Sequence, residues 1–211
     1  IENIKRLKLL TKEEFEKSIN FKLNIKNILV TFHPVTLENK TSKKHFQEIL
    51  DSIDELEDTN IIFTKANSDM DGKIINQMID QYIKKNPNKS IGVTSLGQLN
   101  YLSALQYVNF IIGNSSSGLL EVPSFKIGTI NIGDRQNGRI KAGSVVDCLP
   151  IKKNIKKAIK IIYSKKFQNF LKNIKNPYSN GYTSKKIVKV LKSVTLNNIL
   201  KKTFFDIKFS L

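Results

Sequence analysis

A chain of 211 residues with 40% hydrophobic residues can bury a substantial core and reads as one sizeable globular domain with an appendage. Its net charge of +17 is uneven: residues 151–211 hold 16 lysines against one acid, a net of +15, and leave 19 basic against 17 acidic residues, or +2, for the rest. No stretch approaches the about 18 uncharged apolar residues of a membrane span, no export signal opens the chain, and the single Cys148 excludes an intrachain disulfide and a cysteine-built zinc site. A cytoplasmic setting without a membrane partner is expected.

In chain order, the opening IENIKRLKLLTKEEFEK reads like the interior of a longer protein whose start has been removed. Short apolar runs bounded by Asn, Gly, Ser or Pro then recur at 27–34, 60–66, 90–96, 110–115 and 128–133 and predict strands. Helical spacing lies between them, over 42–56, 72–85, 99–107 and briefly from Ser117. Strands alternating with helices imply an α/β fold with a doubly wound parallel sheet of the Rossmann-like kind. Two longer helical patterns follow, near 154–172 and 184–202, with the breaker NPYSNGY between them. Their apolar positions Ile155, Ile159 and Ile162, then Ile187, Leu191 and Val194, predict one buried face on each, with lysines on the solvated side. The final TFFDIKFSL has no assignment.

Ligands of such sheets sit beyond the carboxyl ends of the strands, and the informative residues cluster there. In FIIGNSSSGLLEVPSF, Ser115, Ser116 and Gly118 stand between a strand and a helix start, where unpaired N–H groups suit a phosphate; ordinary serine N-capping is the competing account. Glu121 offers a carboxylate for a ribose diol, or simply a first-turn acid. GDRQNGR supplies two of the three arginines in a lysine-dominated chain, Arg135 and Arg139, and retained arginine suggests bidentate donation to phosphate or carboxylate; a surface ion pair is the competing account. His33 closes the first predicted strand, and Asn67 and Asp69 follow the second in a turn-rich loop. His45 sits in a polar helical segment and is expected to be solvated. No cluster has metal-ligand spacing, and neither a P-loop lysine motif nor a G-x-S-x-G elbow occurs.

Taken together, TFHP, N-x-D-x-x-G after a strand, GNSSSGLLEVPSF and NIGDRQNGR resemble the hydrolysing UDP-N-acetylglucosamine 2-epimerases of sialic-acid-type biosynthesis, over Ile1 to Tyr182. The resemblance covers the C-terminal half of a family chain. It implies the nucleotide-binding half of a glycosyltransferase-B-type fold, with 1–182 as the UDP-binding domain and 183–211 as a lysine-rich helix and tail. It puts His33 at the diphosphate and reacting sugar as the catalytic candidate, Asn67 at the nucleotide, Ser115 and Ser116, with Gly118, at the phosphates, Glu121 on the ribose and Arg135 at the cleft.

The implied reaction expels UDP from C1 with loss of the C2 proton, and water adds to the glycal to give N-acetylmannosamine. No cofactor or metal is expected, and the proton-moving carboxylates belong to an absent N-terminal domain, so the fragment should bind UDP but be inactive alone. UDP, UDP-N-acetylglucosamine, that N-terminal domain and a homo-oligomer when full length are the expected partners. Open alternatives are an epimerase of the legionaminic-acid route acting on a di-N-acetylated sugar nucleotide, a glycosyltransferase sharing this half, and a basic nucleic-acid-binding protein. The last lacks aromatic interleaving.

Overall fold

The computed structural model describes residues 1–35, 41–67, 70–179, 181–197, 201 and 207. Two short helices open the chain, α1 (Glu2–Arg6) and α2 (Lys12–Ile19). Strands and helices then alternate: β1 (Lys26–Thr31), α3 (Ser42–Ile53), β2 (Thr59–Thr64), α4 (Met70–Lys85), β3 (Ser90–Val93), α5 (Gly97–Ala104), β4 (Phe110–Gly113), α6 (Ser117–Leu120), a 3-10 turn at Val122–Phe125, and β5 (Gly128–Ile132). The chain continues through β6 (Val145–Cys148), α7 (Lys152–Tyr163), α8 (Lys165–Leu171) and α9 (Thr183–Ser193).

The six strands form one all-parallel sheet in the order β3-β2-β1-β4-β5-β6. The expected α/β class is therefore the one found. Chain direction across the sheet reverses between β1 and β4, so the crevice beyond their carboxyl ends is the topological switch point. The two-residue period of the strands divides the core. Ile28, Val30, Ile61, Phe63, Phe110, Ile112 and Ile130 pack with α3, α4 and α7 on one face. Leu29, Ile62 and Ile111 turn to the other face, against Phe15 and Ile19 of α2 and Leu102 and Ala104 of α5. Burial on both faces explains why the strand sequences are continuous apolar runs.

The sequence expectations differ from the structure at four places. β6 was not foreseen: it has four residues, and only Cys148 of them is buried. The helix expected over 154–172 is two, because the Ser164 hydroxyl accepts from Phe167 N–H at 3.2 Å and caps a fresh start. α1 and α2 were unassigned, although Thr11 and Glu14 form a complete capping box at the start of α2. The largest correction concerns α9. Ile155, Ile159 and Ile162 are buried as expected, but Ile187, Leu191 and Val194 are 54%, 66% and 42% exposed, and α9 buries no residue. No helix among the described residues is long and apolar enough to cross a membrane.

Candidate functional site

β1 and β4 run in register to their ends, with Thr31 opposite Gly113. Gly113 has φ +145°, and a Cβ there would lie 1.8 Å from the Thr31 carbonyl oxygen, so only glycine lets the strands meet this closely. The next residue, Asn114, is 1% exposed and gathers three strand ends. Its N–H donates to Thr31 O at 3.1 Å. Its side-chain Nδ2 donates to His33 O at 2.7 Å, while Oδ1 accepts from His33 N–H at 2.8 Å. Its carbonyl accepts from Arg135 Nη1 at 3.0 Å and from Gln136 Nε2 at 2.8 Å, both in the turn after β5. On the other side of β1, the hydroxyls of Thr31 and Thr64 meet at 2.6 Å and tie in the end of β2.

A cleft of about 600 Å³ opens over these strand ends. His33, Asn67, Ser115 and Glu121 line it together, which brings four of the candidate residues to one place from three segments, those after β1, β2 and β4. Ser116, Gly118 and Arg135 are not among the lining residues. Arg135 is exposed, with Nη1 committed to Asn114. Gly118 is buried against Thr129, whose hydroxyl donates to its carbonyl at 2.9 Å, and a Cβ at 118 would come within 2.7 Å of the Thr129 methyl. Arg139 is exposed. Asp69 lies outside the described residues.

The serines do not act as ordinary helix caps. Ser116 occupies the N-cap of α6 without a side-chain cap hydrogen bond, and Ser115 Oγ accepts only a long 3.4 Å contact from Ser117 N–H. Ser115 Oγ also lies 3.3 Å from Ser117 Oγ. Glu121 follows the last residue of α6 and lines the cleft. Its Oε2 is buried with no hydrogen-bond partner among the described residues, and burial raises its carboxyl above the ordinary value. A buried acceptor left unmet costs free energy unless something supplies donors. Beside it, the Tyr101 hydroxyl is hydrogen-bonded to Ser117 Oγ, and burial together with the Glu121 charge pushes that phenol upward while the Ser117 contact opposes them.

Sequence reasoning missed Asn114, Gln136, Ser117, Tyr101 and the Thr94–Gly97 turn, which also lines the cleft. GNSSSG carried a signal for Asn114, since it directly precedes the serines; nothing local distinguished Tyr101. Chemically, the cleft offers hydroxyls and a buried carboxylate acceptor. Lys65 lines it too, but is paired with Asp80 at 2.8 Å. Glu121 is the only acid among the described lining residues, too few to remove and return a proton on opposite faces of a carbon. No group of three or more His, Cys, Asp or Glu that could hold a metal occurs among the described residues.

Sheet order, flanking helices and a cleft at the switch point define a Rossmann-like α/β protein, a class in which ligands sit beyond the strand ends. The sequence matches the family described as UDP-N-acetylglucosamine 2-epimerase over residues 1–192, and the chain belongs to that family. It is 41% identical over 205 residues to the GDP/UDP-N,N'-diacetylbacillosamine 2-epimerase (hydrolyzing) of Campylobacter jejuni, covering 97% of this chain and 53% of that protein. It is 35% identical to the Escherichia coli polysialic acid biosynthesis protein P7, covering 98% and 52%. The chain thus spans about half the length of the curated relatives it matches. Among solved structures, the UDP-GlcNAc 2-epimerase from Neisseria meningitidis bound to UDP-GlcNAc superposes with a TM-score of 0.68 at 19% identity, over 86% of this chain and 48% of that one. At that identity the likeness is one of fold.

Proposed function

We propose that this chain is the nucleotide-binding half of a hydrolysing 2-epimerase, and that it holds a nucleoside diphosphate in the cleft at the β1/β4 switch point. Residues 1–182 form the binding domain in this reading and 183–211 an appendage. The observation that carries it is Glu121: a carboxylate oxygen buried in the cleft with no partner among the described residues, beside the Ser115, Ser117 and Tyr101 hydroxyls. A vicinal diol supplies two O–H donors at the spacing one carboxylate accepts, and a ribose does so while its diphosphate reaches the Ser115–Ser116 turn. His33 then lies toward the diphosphate and the sugar carbon that bears it, Asn67 at the nucleotide and Arg135 at the rim.

The reaction has two steps. The C2 proton is removed as the C1–O bond breaks, giving a glycal and the free nucleoside diphosphate. Water then adds, hydroxyl to C1 and proton to C2 from the opposite face, so the sum is sugar nucleotide plus water to 2-epimeric free sugar plus nucleotide. The groups that move these protons belong to the remainder of a family-length protein, and this chain alone should release no epimerised sugar.

The 41% relative favours a di-N-acetylated sugar nucleotide over UDP-N-acetylglucosamine as substrate of the whole protein. Calorimetric titration of the 211-residue chain with UDP, GDP and a short DNA duplex tests the reading. UDP or GDP should bind measurably in the millimolar-to-micromolar range, and Glu121→Ala should weaken that binding while Glu55→Ala does not. No heat from either nucleotide, together with tight duplex binding, would move the function to nucleic-acid recognition.

A further inference from the structure

Besides its N–H bond to Thr31 O, Asn114 makes four contacts across 21 or more residues of sequence, two to His33, which lines the cleft, and two to Arg135 and Gln136 in the turn after β5. The parallel ladder between β1 and β4 ends at Thr31 and Gly113. Past it the β1 chain must leave the sheet, since Pro34 carries no N–H. The Asn114 amide supplies one further rung from a side chain, donating to His33 O and accepting from His33 N–H. Few side chains of this length can do both at once; an ionised aspartate would set an oxygen against the His33 carbonyl. The carbonyl of the same residue takes Arg135 and Gln136. The strand pairing below is already registered without it, so these contacts fix the ends of β1 and of the turn after β5, not the sheet.

We infer that Asn114 is a positioning residue, holding His33 and the Arg135 turn at the separation that the nucleotide diphosphate requires. The inference rests on the nucleotide reading above and adds to it a residue that need not touch the ligand. Gly113 is what permits the arrangement, because any side chain there would drive β4 from β1 and carry Asn114 with it.

The test is Asn114→Asp in the 211-residue chain, followed by UDP titration and by NMR of the imidazole signals. The chain has two histidines, so His33 is read directly and His45, on α3, is the internal control. UDP affinity should fall about ten-fold, the loss of one buried hydrogen bond with a polar group left unmet. The His33 signal should shift while that of His45 stays. Lowering the pH should narrow the gap between variant and wild type, because a protonated aspartate regains the donor. If Asn114→Asp does not fold, Asn114→Ser removes the amide without burying a charge and carries the same expectation. Wild-type binding with an unchanged variant affinity, or an unmoved His33 signal, overturns the inference and leaves the nucleotide reading intact. Absence of UDP binding by the wild type overturns the nucleotide reading, and the inference falls with it.

Discussion

α7 and α9 follow the same pattern of lysines and aliphatic residues and end in opposite environments. Each is lysine-rich with apolar residues at helical spacing. α7 follows β6 and lies back on the sheet, where Ile155 and Ile162 are fully buried and Ala158 and Ile159 nearly so. Its outward Lys152 and Lys156 both reach Glu55, whose carboxyl they hold down at about 2. α9 comes after the 172–182 connection and meets no such surface: Ile187, Val190 and Leu191 are each more than half exposed. Its attachment is at its start, where the Glu2 carboxylate accepts from the Ser184 N–H and hydroxyl. Amphipathic spacing therefore specifies a helix and which side is apolar. Whether that side is buried depends on a complementary surface that only the tertiary structure supplies.

The largest effect that could break this comparison is on stability. Ile155→Ala leaves a cavity under α7 and should cost about 2–5 kcal/mol, lowering the thermal midpoint by roughly 6–12 °C for a loss near 3 kcal/mol. Leu191→Ala on α9 should stay within about 0.5 kcal/mol of wild type. Differential scanning calorimetry of the two variants decides it, and equal destabilisation would mean that α9 is packed after all.

The second effect separates binding from the lysine-rich helices. Glu121→Gln keeps the shape but removes a charged acceptor for two donors, so UDP affinity should fall roughly a hundred-fold. Replacing Lys185, Lys189 and Lys192 of α9 by Gln should leave it unchanged. Burial raises the Glu121 carboxyl, so the charged form is the disfavoured one in the folded chain. Its contribution to stability is full below the ordinary carboxylate value of 4.5 and is lost as pH rises through the raised value. At neutral pH Glu121→Gln should therefore melt slightly above wild type, with the difference fading in acid. UDP affinity of the wild type should drop as pH falls through the same window, because the protonated acid accepts poorly from a diol.

A smaller effect concerns nucleic acid. The α9 lysines make no ion pair among the described residues, so a duplex should bind weakly, without sequence preference, and lose affinity steeply between 50 and 200 mM salt, roughly as phosphate contacts to a few lysines predict. Submicromolar, sequence-selective binding at physiological salt would contradict the comparison. The smallest effect is at Glu55. It stands on the surface, so Glu55→Gln should shift the midpoint only marginally, and the wild-type advantage should be present above pH 4.5 and vanish as pH falls through about 2.

Much of this was legible in the sequence, for physical reasons that also mark where legibility ends. β1, β2, β4 and β5 announce themselves because a strand covered on both faces is apolar throughout; the edge strands β3 and β6 are only partly buried and lack that pressure, and β3 was legible from Ile91 and Val93 between turn residues while β6 was not. Ser164 looked like one more polar residue within a helix, and its capping role depends on the backbone turning there. His33 and Ser115 could be placed because each lies two residues past a strand end, and Glu121 because it follows the short helix that starts there; strand ends face the ligand edge in this fold class. Asn114 was marked only by its place before the serines, and its contacts could not be read there, since its partners His33 and Gln136 are 81 and 22 residues away. Arg135 was read as a ligand donor from its residue type, its place in GDRQNGR and the family resemblance, and the structure adds a partner, the Asn114 carbonyl 21 residues away, that no local pattern names.

The central claim is that a nucleoside diphosphate occupies the cleft over β1 and β4. An amide NMR titration of the chain with UDP tests it most directly. Saturable shifts centred on His33, Ser115 and Glu121, with α9 signals unmoved, are the predicted result. Shifts confined to α7 and α9, or none near Glu121 at millimolar UDP, would contradict it.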